Sequence, residues 1–91
     1  MATVHLPDSV LAEIQQIGEH IAVENLPAAL VVVESLHQHC QSLENLPERG
    51  ALYLDKYRRV FVGNYHIIYR VDGTNVYIVT VRHMRRKQFV L

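Results

Sequence analysis

Two histidines and a cluster of arginines carry most of the chemistry that this 91-residue chain can offer. His66 and His83 lie in stretches where apolar and polar residues alternate. On neighbouring strands the two are expected on one sheet face, opposite or diagonal to each other. Imidazoles titrate near neutral pH, so a facing pair can serve as general acid and general base. The same pair can instead make polar contacts to a target, or lie half-exposed beneath a partner chain. Arg82, Arg85, Arg86 and Lys87 form a basic cluster, with Arg70 on the preceding strand. Such guanidinium groups recognise carboxylates or a phosphate backbone, or else merely solvate a terminus. Tyr77 is the aromatic expected beside them, to pack against a partner's side chain or stack on a base. Arg58 and Arg59 are adjacent and point to opposite faces, so one of them can join Arg70.

The remaining reactive residue types are less suggestive. His37 and His39 are two apart on a helix and face different ways, which makes a poor metal pair. Adding His5 or His20 gives no ligand spacing, so neither a metal nor another cofactor is expected. Cys40, the single cysteine, falls on an apolar stripe and reads as buried filler. It allows no intramolecular disulfide and suits a reducing cytosol.

Composition bounds the class. With 49% hydrophobic and 20% charged residues, the chain is that of an ordinary globular domain, and its length allows one domain, residues 1–91. The longest purely apolar run is six residues, Ala28 to Val33, against about 20 for a membrane span. The opening residues carry no basic region of the signal-peptide kind, and a cytoplasmic location is expected. A net charge of zero hides a split. Residues 1–55 hold eight acids and one base, and residues 56–91 hold eight bases and one acid. A basic half of this kind suits an acidic partner, either nucleic acid or an acidic protein segment.

The elements that must position these residues follow from periodicity. Thr3 to Leu6 reads as a short strand. Asp8 or Ser9 can cap a helix whose Val10, Ile14, Ile17 and Ile21 share one face, ending near Ala22. Asn25 can cap a second helix, with Pro27 in its first turn and a stripe of Ala29, Val32, Val33, Leu36, Cys40 and Leu43, reaching about Glu44. The short connection predicts an antiparallel helical hairpin. Ala51 to Tyr57, Arg59 to Val62, Tyr65 to Val71 and Val76 to Arg82 then read as strands. Helices segregated from a run of strands predict an α+β domain: an N-terminal strand and a helical hairpin packed on a small, mainly antiparallel sheet of three to four C-terminal strands. An even-length turn around Asp72-Gly73 sorts the last hairpin into two faces. Tyr65, Ile67, Tyr69, Val71, Val76, Ile78 and Thr80 are expected under the helices. His66, Ile68, Arg70, Tyr77, Val79, Val81 and His83 are expected on the binding face.

This arrangement, with the loop Leu46-Pro47-Glu48-Arg49-Gly50, the segment Gly63-Asn64-Tyr65-His66-Ile67-Ile68-Tyr69-Arg70-Val71 and the segment Val76-Tyr77-Ile78-Val79-Thr80-Val81-Arg82-His83-Met84-Arg85-Arg86, resembles the RelE/ParE superfamily of bacterial toxins over nearly the whole chain. The resemblance implies the toxin of a type II toxin–antitoxin module. Such a toxin arrests growth, stabilises plasmids and is neutralised by an antitoxin whose extended segment wraps it. Its RelE-like branch cleaves mRNA in the ribosome. Its ParE-like branch acts by binding DNA gyrase. RelE-like enzymes draw on arginines of the last two strands, a lysine and a C-terminal tyrosine. Here His66 replaces one such arginine, Met84 falls on another, and Phe89 or Val90 falls on the tyrosine. These departures favour the ParE-like branch. A ribonuclease would have to use His66, Arg82, His83 and Arg85. For contact with target or antitoxin the expected residues are His66, Arg70, Tyr77, Arg82, His83, Arg85 and Arg86. The exposed rims of the helical hairpin, with Leu11, Leu26 and Leu30, are further candidates for the antitoxin.

Overall fold

A computed structural model describes residues 1–85. The first helix, α1 (Asp8–Ala22), starts without a side-chain cap. Pro7 takes the N-cap position, not Asp8 or Ser9, and its carbonyl accepts from the backbone N–H of Val10 and of Leu11. Proline's fixed φ places it well at a helix entrance, where no N–H is needed. The second helix, α2 (Leu26–Ser42), is capped as its sequence predicts: the Asn25 side chain accepts from Ala28 N at 3.0 Å. It ends two residues short of Glu44. A Cβ added to Gly18 would meet Val33 Cγ2 at 2.6 Å. The bare glycine is therefore what lets α2 approach α1 so closely.

Strands β1 (Thr3–His5), β2 (Ala51–Tyr53), β3 (Tyr57–Val62), β4 (Tyr65–Asp72) and β5 (Asn75–His83) form one sheet in the order β1-β5-β4-β3-β2. All neighbours are antiparallel except β1 and β5, which run parallel. The sheet thus uses four C-terminal strands. The stretch expected as one strand from Ala51 to Tyr57 is broken by a turn in which Leu54 and Asp55 have positive φ. No glycine or proline marks that turn in the sequence.

The helices cover one sheet face. Val10, Ile14, Leu36, Cys40 and Leu43 meet Val60, Ile67, Tyr69, Val76, Ile78 and Val81 in a single buried cluster. Each large aliphatic side chain fully removed from water contributes about 1.5–3 kcal/mol. Tyr69 crosses this core and ends in polar work. Its hydroxyl donates to Pro47 O at 2.8 Å and accepts from Gly50 N at 2.9 Å. Arg58 secures the same loop by donating to Glu48 O and Gly50 O.

The last hairpin departs from the expected faces. Its two-residue turn, Gly73-Thr74, uses the positive φ of Gly73. From there Asp72 pairs with Asn75, Arg70 with Tyr77 and Tyr69 with Ile78. Ile68 then pairs with Thr80, so Val79 is an extra residue. A bulge of this kind shifts everything beyond it by one and flips its face. Ile67 therefore pairs with Val81 and Tyr65 with His83 on the helix side, while His66 pairs with Arg82 on the open side.

Candidate binding face

The open sheet face is assembled in rows across the strands. One row is Tyr57, Arg70, Tyr77 and His5; the next is Arg59, Ile68 and Thr80; the third is Phe61, His66 and Arg82. Cross-strand partners in such rows stand close enough to interact directly. Arg70 lies over the Tyr77 ring at 4.3 Å, and His5 stacks against that ring at 4.7 Å. Arg59 lies 4.3 Å from the Tyr53 ring and 4.8 Å from the Phe61 ring. Ring contact of this kind holds the flat guanidinium while leaving its N–H edges available to an acceptor.

His66 is buried beneath this layer at 7% exposure, and among the described residues neither its Nδ1 nor Arg59 Nε has a hydrogen-bond partner. Burial lowers the His66 pKa from its ordinary value, and the Arg59 and Arg82 charges lower it further. Both effects favour the neutral imidazole. Arg82 is held by a relay: its Nε donates to Thr80 Oγ1 at 3.2 Å, and that hydroxyl donates to Glu13 Oε2 at 2.7 Å. Glu13 Oε1 accepts from Val81 N at 3.1 Å. The α1 carboxylate thereby takes over the edge of β5 where its pairing with β1 has ended at Tyr77.

The expected face is therefore corrected in part. His66, Ile68, Arg70 and Tyr77 share it as expected. Arg82 joins them. Val81 and His83 belong to the helix side, and Thr80 to the open side. His83 meets the Tyr65 ring edge-on at 5.1 Å and its Nδ1 accepts from Arg85 N. His66 and His83 are consequently not a facing pair, because the bulge separates them. Arg85 is exposed past the end of β5. Arg86, Lys87 and the Phe89–Leu91 tail lie outside the described residues. Of the two adjacent arginines, Arg59 is the one on the open face. His5, Tyr53 and Phe61 were not anticipated there: alternation within β3 could have signalled Phe61, but the parallel pairing that brings in His5 leaves no local trace. Cys40 is fully buried, and burial pushes its thiol pKa up to about 12, which leaves it unreactive. Among the described residues no group of three His, Cys, Asp or Glu side chains is placed to hold a metal, and no helix is long and apolar enough to cross a membrane.

The helical hairpin offers a second surface. A groove of about 410 Å³ runs between α1 and α2, lined by Leu11, Gly18, Leu26, Leu30 and Val33 among others. Leu26 and Leu30 are 59% and 64% exposed. No lysine or arginine precedes Arg49, and Glu19 is among the residues that line the groove.

Comparison with known proteins agrees with this architecture. The chain is similar to a solved structure described as the chromosomal ParDE TA system from P. aeruginosa, with a TM-score of 0.79 and 19% identity, over 91% of this chain and 96% of that chain. At that identity the likeness concerns the fold. No curated protein matches the sequence. The family described as the ParE toxin of the type II toxin-antitoxin system, parDE, matches residues 4–88. With its hairpin, sheet and sequence all in accord, the chain belongs to the ParE toxin family.

Proposed function

We propose that this ParE-family toxin arrests growth by binding DNA gyrase, without a chemical step of its own, and that a cognate antitoxin neutralises it. The observation that carries the choice over mRNA cleavage is the bulge in β5. It puts His66 and His83 on opposite faces, so the acid–base pair that the ribonuclease alternative requires is not assembled. What remains on the open face is a contact surface of arginines and aromatic rings. The antitoxin would use the apolar groove of the helical hairpin, whose acidic surroundings favour a basic amphipathic segment.

The test is gyrase supercoiling of plasmid DNA with purified, antitoxin-free chain, scored for trapped cleavage complexes. Loss of supercoiling with accumulation of cleaved DNA is expected. Unimpaired gyrase together with ribosome-dependent mRNA cleavage would replace this function with the RelE-like one. Unimpaired gyrase, intact mRNA and no toxicity on expression would leave a chain that only binds its antitoxin.

A further inference from the structure

Glu13 is an acid among residues that pack through carbon. Val10, Ile14 and Ile17 carry α1 onto the core, and Glu13 stands between them on the helix, itself half-buried. Both its carboxylate oxygens go to β5, and both bonds lie past the bulge. One oxygen, Oε1, accepts from Val81 N at the edge that β1 leaves after Tyr77. Capping that N–H needs a single oxygen, which a glutamine would also supply. The second oxygen does what a glutamine would not. It accepts the one proton of the Thr80 hydroxyl at 2.7 Å. Thr80 is only 3% exposed, so bulk water does not compete for that proton. With its proton committed to Glu13, the hydroxyl acts toward Arg82 as an acceptor, and it takes the Nε–H at 3.2 Å.

These bonds run from the helix toward the open face, where register puts Arg82 beside His66. Holding Nε sets the plane of the guanidinium, and a planar fork binds its partner well only when that plane is set. Arg59 and Arg70 are oriented differently, by contact with Tyr53 and Phe61 and with Tyr77. We infer that Glu13 is a positioning residue: through Thr80 it orients Arg82 for contact with the toxin's target, although it stands on the helical hairpin and not on the contact face. The identity of that target rests on the gyrase reading; the relay itself does not. A glutamine at position 13 would keep its oxygen on Val81 N and turn its amide N–H toward Thr80. The Thr80 proton then has no acceptor, or the hydroxyl rotates and releases Arg82. Valine at position 80 removes the hydroxyl outright and leaves the Val81 clamp in place.

Two readouts on the full chain test this. In the free protein, heteronuclear NMR follows the exchange of the Arg82 Nε–H with water, the signal being identified by its loss in Arg82→Gln. Exchange is expected to be about tenfold faster in Glu13→Gln and in Thr80→Val, and close to the parent's in Thr80→Ser, which keeps the hydroxyl. The second readout is inhibition of gyrase supercoiling. Glu13→Gln and Arg82→Gln are each expected to raise the half-inhibitory concentration about tenfold. In the Arg82→Gln background, Glu13→Gln is expected to add less than about twofold, because its route to the target is already gone. A residue that only supported the fold would add its full factor there. Circular dichroism confirms folding; if Glu13→Gln unfolds the chain, Thr80→Val takes its place in the cycle. Unchanged exchange in the folded variants, or multiplying factors for positions 13 and 82, overturns the inference. If the parent chain arrests growth but leaves gyrase unimpaired, the gyrase reading alone fails, and the same cycle is read as the inducer concentration that halves growth. A parent chain that does neither overturns both.

Discussion

Replacing Tyr69 by phenylalanine is the sharpest test of how the core holds the loop that follows the helices. The ring is fully buried, and its hydroxyl joins two backbone groups, Pro47 O and Gly50 N. Phenylalanine keeps the ring and removes both bonds. Gly50 is buried, so its N–H is stranded, at about 1–3 kcal/mol. Pro47 is only half-buried, and water can reach its carbonyl, so that loss is smaller, about 0.5–1 kcal/mol. The sum is about 1.5–4 kcal/mol, or roughly 6–30 °C in Tm for a domain of this size. Urea denaturation followed by circular dichroism measures it. Tyr65→Phe is the control: its hydroxyl makes no hydrogen bond among the described residues, and its loss is expected within about 0.5 kcal/mol. A second readout comes from pH. Burial raises the Tyr69 pKa above its ordinary 10.0, outweighing the Gly50 N–H and the nearby arginines. A phenol with a raised folded pKa gives stability that is complete below the unfolded value and is lost as pH rises through the folded one. The gap between parent and variant therefore narrows above pH ~10. A loss below about 0.5 kcal/mol for Tyr69→Phe would refute the role given to the hydroxyl.

Two further outcomes follow from the same geometry. His66 has a lowered folded pKa, so the stability it contributes is present above the unfolded value of ~6.5 and is lost as pH falls. His66→Gln should flatten the decline in urea-derived stability between pH 7 and 5, by up to ~1.4 kcal/mol per pH unit; parallel profiles would contradict this. Gly18→Ala gains about 1 kcal/mol of helix propensity but drives a methyl group into Val33, at a cost of about 1–3 kcal/mol. A net loss near 1 kcal/mol is expected in thermal melts, relieved when Val33→Ala is added; a more stable Gly18→Ala with strictly additive effects would show that the helices have room.

The parts of the fold legible in the sequence are those governed by local pattern. The Asn25 cap, the apolar stripes of both helices and the hairpin at Gly73 all rest on periodicity or on turn chemistry within a few residues. The turn at Leu54-Asp55 was not legible, because left-handed backbone there is imposed on Leu54, a residue that does not prefer it. The bulge at Val79 was not legible either, since β5 reads as an unbroken run of strand-forming residues. Its Glu13 clamp depends on a contact between residues 13 and 81, which no local signal encodes. The site suffered accordingly: His66, Arg70 and Tyr77, anchored to the turn by simple alternation, were placed correctly. Beyond the bulge, Val81 and His83, expected on the open face, fall on the helix side, and Thr80 makes the reverse change.

The zero net charge of this chain is a poor guide to how it meets other molecules. The acidic helical hairpin and the arginine-bearing sheet lie on opposite sides, so the molecule has a large dipole without a monopole. A dipole turns in the field of an approaching polyion before contact and presents its complementary side. A polyanion would meet the sheet first and a basic segment the hairpin, without competing for one surface. Encounter rates with either would fall with added salt, as they do for strongly charged proteins, although a titration of the free chain would find it neutral.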